Sequence, residues 1–258
     1  MNFKKLSQIG LKARWNKIHK KTFEHIQNNH KNLLLEKARL IGFIMGDGCI
    51  TSIKSHQNGR HHDIRFYPDD EYMLKLFIFD FEKLYLKKPN FKKLKNYYVL
   101  TVSCKPAWID LMSLANFDSV NWEIPKYFKS QEEKIEWVKV LFDCEGYVDL
   151  IKKRIVLQSV SEKGINSIKR VLDSLGIESK IYIYKRKNEK WHTNYLLHIM
   201  RKDSVFKFYN FINFNHQIKK RKLNSICPDA TMVLERSRKP RSYEPLGSIP
   251  SLGVTRIK

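Results

Sequence analysis

The chain has 258 residues, 42% of them hydrophobic and 12% aromatic, with a formal net charge of +23. That apolar share suffices for a packed core and excludes a disordered chain, while the charge calls for a polyanionic partner, nucleic acid or an anionic surface. No apolar run is long enough to span a bilayer and no signal peptide precedes the first helical pattern, so nucleic acid is favoured over membrane, in an intracellular setting, cytoplasmic or organellar.

Residues 1–35 carry eight Lys or Arg against one acid, Glu24. Their apolar spacing predicts two short helices broken near Gly10, a basic extension that either adds nucleic-acid contacts or is simply solvated. A helix follows from Asn32 to Gly48, ending in Leu40-Ile41-Gly42-Phe43-Ile44-Met45-Gly46-Asp47-Gly48. Strand-type sequence runs over Cys49–Lys54 and His61–Tyr67, then a helix over Asp69–Tyr85, strands within Phe91–Cys104 and a short helix over Pro106–Ala115.

The second half repeats this order. A helix over Gln131–Glu145 closes on Val138-Lys139-Val140-Leu141-Phe142-Asp143-Cys144-Glu145-Gly146. Strands are predicted at Tyr147–Ile151 and Arg154–Val160, and a helix at Glu162–Leu175 stopped by Gly176. A hairpin over Lys180–Lys187 and Trp191–Arg201 comes next, then helices at Asp203–Phe214 and His216–Ile226. Tyr98–Phe117 aligns without gaps on Tyr195–Phe214 at an offset of 97, and Asp47 and Glu145 are offset by 98. The period identifies a duplicated αββαββα unit. The expected organisation is a basic extension at 1–35, repeats at 36–117 and 131–226, a linker at 118–130 and a Pro-rich disordered tail at 227–258. The four cysteines lack paired spacing, which argues against disulfides and zinc.

Each organising helix ends in an acid followed by glycine, Asp47-Gly48 and Glu145-Gly146. Glycine there reads as a left-handed cap. A carboxylate in the last turn opposes the helix dipole, and a cation would relieve it. Gly42 and Gly46 leave one face of the first helix bare for close approach by another helix, which would bring the two carboxylates together at one end.

These two stretches resemble the LAGLIDADG homing endonucleases of the single-chain, two-repeat kind, although Val140 stands where a small residue is typical. The resemblance implies an α+β fold of tandem αββαββα repeats. They would form a pseudo-twofold saddle of two antiparallel sheets, with helices on the outer face and the motif helices at the interface. It implies a monomeric, site-specific, double-strand DNA endonuclease using Mg²⁺ or Mn²⁺ on a long, asymmetric target. Asp47 and Glu145 would be metal-binding catalytic acids, with the backbone carbonyls of Gly46 and Cys144 as further ligands. Lys219 or Lys220, and Gln158, are the candidates for polarising water. Strand alternation and position nominate a DNA-facing set: Lys54, His56, Arg60, His61, Arg65, Lys95, Tyr97, Lys152, Arg154, Gln158, Lys180, Tyr182, Tyr184, Arg186, His192, Tyr195 and His198. The alternatives are an intron RNA maturase and a catalytically inactive DNA-binding protein, both disfavoured by two intact acids. An intein is not expected, because the chain starts with Met and lacks a His-Asn ending.

Overall fold

The computed structural model describes residues 3–29, 31–55, 59–185 and 191–227, without the side chains of 3–15, 53–55 and 59–60. The elements in chain order are α1 (Phe3–Asn29), α2 (Leu34–Asp47), β1 (Gly48–Ser55), β2 (Gly59–Phe66), α3 (Glu71–Tyr85), β3 (Asn90–Lys93), β4 (Tyr98–Ser103) and α4 (Lys105–Leu114), followed by α5 (Gln131–Glu145), β5 (Gly146–Asp149), β6 (Arg154–Ser159), α6 (Glu162–Ser174), β7 (Lys180–Tyr184), β8 (Asn194–Ile199), α7 (Lys202–Phe211) and α8 (Gln217–Ile226). Two αββαββα units are therefore present, α2 to α4 and α5 to α7, with α1 and α8 added. Each unit carries a four-stranded antiparallel sheet, ordered β1-β2-β4-β3 and β5-β6-β8-β7. The same strand order in both halves follows from the same succession of hydrophobic periods.

One face of each sheet packs on helices. Ile64, Phe66, Leu100 and Val102 are buried in the first unit, and Ile155, Leu157, Leu197 and Ile199 in the second. Phe66 stacks on Phe77, which continues to Phe81 and Tyr85; Phe142, Phe208 and Phe214 form the corresponding cluster in the second unit. Helix starts follow their caps. Asp70 accepts hydrogen bonds from the Tyr72 and Met73 amides, and Ser130 with Glu133 forms a capping box on α5. The segment between the units docks on the second one: the Ser161 hydroxyl donates to the Trp122 carbonyl, and the Trp122 ring lies flat enough on α6 that a Cβ at Gly164 would come within 2.3 Å of it.

Two expectations are corrected. The N-terminal segment forms one helix, α1, because a single glycine at position 10 costs a helix only about 1 kcal/mol and does not end it. Gly48 and Gly146 are not left-handed caps: both are extended, with φ −126° and −91°. Glycine is needed there for space, since a Cβ would meet Ile44 Cα at 2.6 Å and the Phe142 carbonyl oxygen at 2.6 Å. Ile183 shares the helix-facing side of β7 with Ile181 but is 61% exposed, because β7 is the edge strand. His56, Arg186 and the tail from 228 lie outside the described residues. Among the described residues no helix is long and apolar enough to cross a membrane.

Candidate metal centre and nucleic-acid interface

α2 and α5 pack side by side along their glycine face. A Cβ at Gly42 would lie 3.0 Å from Val140 Cγ1, and one at Gly46 2.5 Å from Cys144 Cβ. Gly42 and Val140 are repeat equivalents at the offset of 98, as are Gly46 and Cys144. The pseudo-twofold therefore runs along this seam, and the missing side chains on α2 make room for Val140 and Cys144 on α5. Both helices end at the same level, at Asp47 and Glu145. Their carboxylates sense each other. Glu145 is pushed up to about 7, first by burial and then by the Asp47 charge, against the pull of Lys219. Burial also raises Asp47, opposed by a hydrogen bond with Cys144 and by Lys219. Two half-buried carboxylates this close resist joint ionisation, and a cation between them removes the penalty.

The surroundings of the two acids differ. Glu145 lines an open cleft of about 460 Å³ together with Gly46, Cys49, Trp122, Gln158 and Asn194. The start of α8 closes the Asp47 side. The Asn215 and His216 amides donate to Asp143 Oδ1 at 2.8 and 2.9 Å, and the Gln217 amide donates to Asp70 Oδ2 at 3.2 Å. His216 Nε2 lies 3.2 Å from Asp69 Oδ1, and that contact holds Asp69 below its usual range. Burial pushes Asp143 up to about 7 against these bonds. α8 thus ties the two units together beside the acids, through Asp69 and Asp70 in one and Asp143 in the other. Sequence reasoning missed this clasp, although the acid inside Phe142-Asp143-Cys144-Glu145 was a visible signal.

Of the two candidate lysines, Lys219 is the one at the acids. Its ammonium donates to the carbonyl of Asp143 and, at 3.0 Å, to that of Cys144. The Cys144 carbonyl expected as a metal ligand is therefore engaged by Lys219. Lys220 is exposed and has no such contact. Among the described residues no three His, Cys, Asp or Glu side chains converge as a ready-made metal cage. Two carboxylates with carbonyls, water and substrate oxygens suit a hard divalent cation with open positions, not a closed structural site.

Away from the acids, residues on the unpacked sheet faces come in pre-held pairs. Asp149 accepts from Arg154 Nε at 3.0 Å, and Arg154 Nη1 lies 3.1 Å from His198 Nδ1, whose ring packs on Tyr182 at 4.6 Å. In the first unit Arg65 donates to Asp63 at 3.5 Å. Gln158, Lys180, Tyr182 and Tyr184 share the face of Arg154 by strand pairing, and His61 shares that of Arg65. Lys95, Tyr97, Lys152 and His192 are exposed in the connections. Tyr195 is not on this face: it pairs with Ile183, and its hydroxyl donates to Glu162 Oε2 of α6 at 3.1 Å. Its alignment with Tyr98, whose ring packs against the core, already carried that message. The side chains of Lys54 and Arg60 lie outside the described residues.

Residues 132–213 match the family model described as a LAGLIDADG-like domain. Over 208 residues the chain is 24% identical to the homing endonuclease I-DmoI of Desulfurococcus mucosus, covering 78% of this chain and 96% of that protein. The second repeat is thus a LAGLIDADG-like domain. The crystal structure of I-DmoI in complex with DNA and Ca shares the chain's fold, with a TM-score of 0.56 at 23% identity, over 80% of this chain and 100% of that one. The “Probable translation initiation factor IF-2” of Methanocaldococcus jannaschii is 30% identical over 211 residues, and the ATP-dependent DNA helicase Hel308 of the same organism 28% identical over 217. The chain spans 16% and 18% of the length of those two relatives.

Proposed function

We propose that this protein is a site-specific, double-strand DNA endonuclease that depends on a divalent cation. The observation that carries the reading is the electrostatic coupling of Asp47 and Glu145 at the ends of two helices packed through Gly42 and Gly46. The I-DmoI structures solved with DNA and with Mn or Ca supply the parallel.

Asp47 and Glu145 would hold Mg²⁺ or Mn²⁺, each acid serving one scissile phosphate. When bound, the cation supplies charge neutralisation at phosphorus and a more acidic water. The protein's own residues do the rest. Rigid packing at residues 42 and 46 fixes the spacing of the two acids, and Gln158, in the cleft beside Glu145, can orient water by hydrogen bonding. Arg154, poised by Asp149 and His198, and Arg65, poised by Asp63, can each present a fork to phosphate or to a guanine edge. Lys152, Lys180, Tyr182 and Tyr184 extend the surface along the duplex. The two sheets differ in sequence, so the favoured target is asymmetric and one chain suffices to cover it.

The test is cleavage. Purified protein with Mg²⁺ is incubated with a library of duplex targets and the cut ends are sequenced; a defined double-strand break at one long site is expected. Sequence-selective binding without cutting would make the chain a catalytically inactive DNA-binding protein. Failure to select duplex DNA, with promotion of intron RNA splicing instead, would make it a maturase.

A further inference from the structure

Lys219 is held at the acids by the protein's own backbone. Its ammonium is committed to two carbonyls in the last turn of α5, those of Asp143 and Cys144. Carbonyls there have no partner within the helix and carry the negative end of its dipole. The same charge favours the ionised forms of Asp47, Glu145 and Asp143. The helix that carries it is pinned to both units through Asp70 and Asp143, so the stem of Lys219 starts from a fixed point. The arrangement is one-sided. At the offset of 97 that brings Phe117 onto Phe214, the repeat equivalent of Lys219 is Trp122, an indole lining the cleft beside Glu145. One ammonium therefore serves both carboxylates.

We infer that Lys219 is a place-holding cation, whose ammonium occupies the α5 carbonyls beside Asp47 and Glu145 in the metal-free protein and has to be displaced when a divalent cation loads. The physical reason is double occupancy. A carbonyl lone pair directed at an ammonium is not free for a metal, and a single and a double positive charge a few ångströms apart repel strongly in a half-buried site. Without a cation the acids would repel each other and part the helix ends. Lys219 holds them in register until the metal arrives, and its long, flexible stem lets the ammonium swing away without moving α8. This makes it a positioning residue, and the inference rests on the metal centre proposed above.

The experiment is calorimetric titration of Mn²⁺ into the full chain, wild type and variants, with thermal melts alongside. Lys219→Met removes both the charge and the carbonyl bonds; Lys219→Gln removes the charge but keeps an N–H donor; Lys219→Arg keeps both. The two neutral variants should bind Mn²⁺ at least about tenfold more tightly than wild type, since a competing charge is gone. Lys219→Arg should bind as wild type does. Lys219→Met should also melt lower without metal and recover when Mn²⁺ is added. A merely structural lysine would give the opposite sign, weaker Mn²⁺ binding in step with lost stability. If Lys219→Met does not fold, Lys219→Gln alone decides. Should wild type bind Mn²⁺ through Asp47, as shown by loss in Asp47→Asn, while neutral variants bind it no tighter, the place-holding role is overturned and the metal centre stands. Should wild type show no Mn²⁺ binding that Asp47→Asn removes, the metal centre fails and the inference falls with it.

Discussion

Gly46 faces Cys144 across the α2–α5 seam so closely that a Cβ on residue 46 would lie 2.5 Å from that of Cys144. The two are equivalents in the repeat, one position before the acids, so the tightest point of the interface sets the spacing of Asp47 and Glu145. At Gly42 the fit is looser, 3.0 Å to Val140 Cγ1. Substituting Gly42 with Leu drives a branched side chain into Val140 and the Trp137 carbonyl, and overpacking of this kind costs about 1–3 kcal/mol or more. A shift of the helix ends by about an ångström is enough to disable chemistry that depends on their geometry. Thermal melting and plasmid cleavage should therefore fall together in Gly42→Leu, although residue 42 touches neither acid. A variant that melts and cuts like wild type would sever the seam from the site.

Asp47→Asn and Glu145→Gln each remove one of two ligand charges while keeping size and hydrogen-bonding shape. Cleavage with Mg²⁺ should drop by at least about 100-fold in either, since even partners of metal ligands are worth up to that much. Duplex binding measured in Ca²⁺ should persist. Wild-type cutting of both strands by either variant would remove the assignment.

Glu145 stands at about 7 in the folded chain against an ordinary 4.5, first because it is buried and second because Asp47 is charged. Folding therefore favours its protonated form. The contribution is present in full below about 4.5 and is lost as pH rises through about 7, on the order of 3 kcal/mol across that window. Asp143, also near 7, acts in the same direction and is common to all variants that retain it. In chelator, the gap between wild type and Glu145→Gln in urea melts should change by that order from pH 4.5 to pH 8, with wild type losing ground. Parallel profiles would mean that residue 145 titrates normally.

Binding to duplex DNA should weaken steeply with salt. A slope equivalent to roughly six or more neutralised phosphates is expected from a surface carrying this many cations. Arg154→Ala should cost about 1–3 kcal/mol and leave Asp149 and His198 without their shared partner. Tyr195→Phe, whose hydroxyl is turned to Glu162, should leave DNA affinity unchanged. A fluorescence anisotropy series over potassium chloride concentration measures all three, and a shallow slope would argue against the sheet surface as the binding face.

Much of this was readable from the chain. The acid-glycine endings, the offset of 98 between them and the aligned stretches at 97 give the duplicated unit, because a repeat that buries the same face twice keeps the same apolar period. Strand alternation placed Arg154, Lys180 and Tyr182 on one face for the same reason. Alternation itself rules Tyr195 out of the DNA-facing set, because three positions before His198 on one strand it must point to the other side of the sheet, where its hydroxyl meets Glu162 of α6. The role of Gly48 and Gly146 was not legible, since a glycine held by crowding and one held by a positive φ look alike in sequence.

By itself, then, the sequence determined that two acid-tipped helices are paired in a duplicated α+β unit with a strongly cationic surface. Those are properties of local periodicity and composition, each carried by residues near one another in the chain. Only the tertiary structure decided that the two acids sit in unlike surroundings. On one side α8 folds back from more than 70 residues away to put Lys219 on the Cys144 carbonyl and the Asn215 and His216 amides on Asp143. On the other, Trp122 and Gln158 leave an open cleft beside Glu145. Contacts so distant in sequence leave no period to read, because their geometry depends on how whole elements pack and not on any spacing within them.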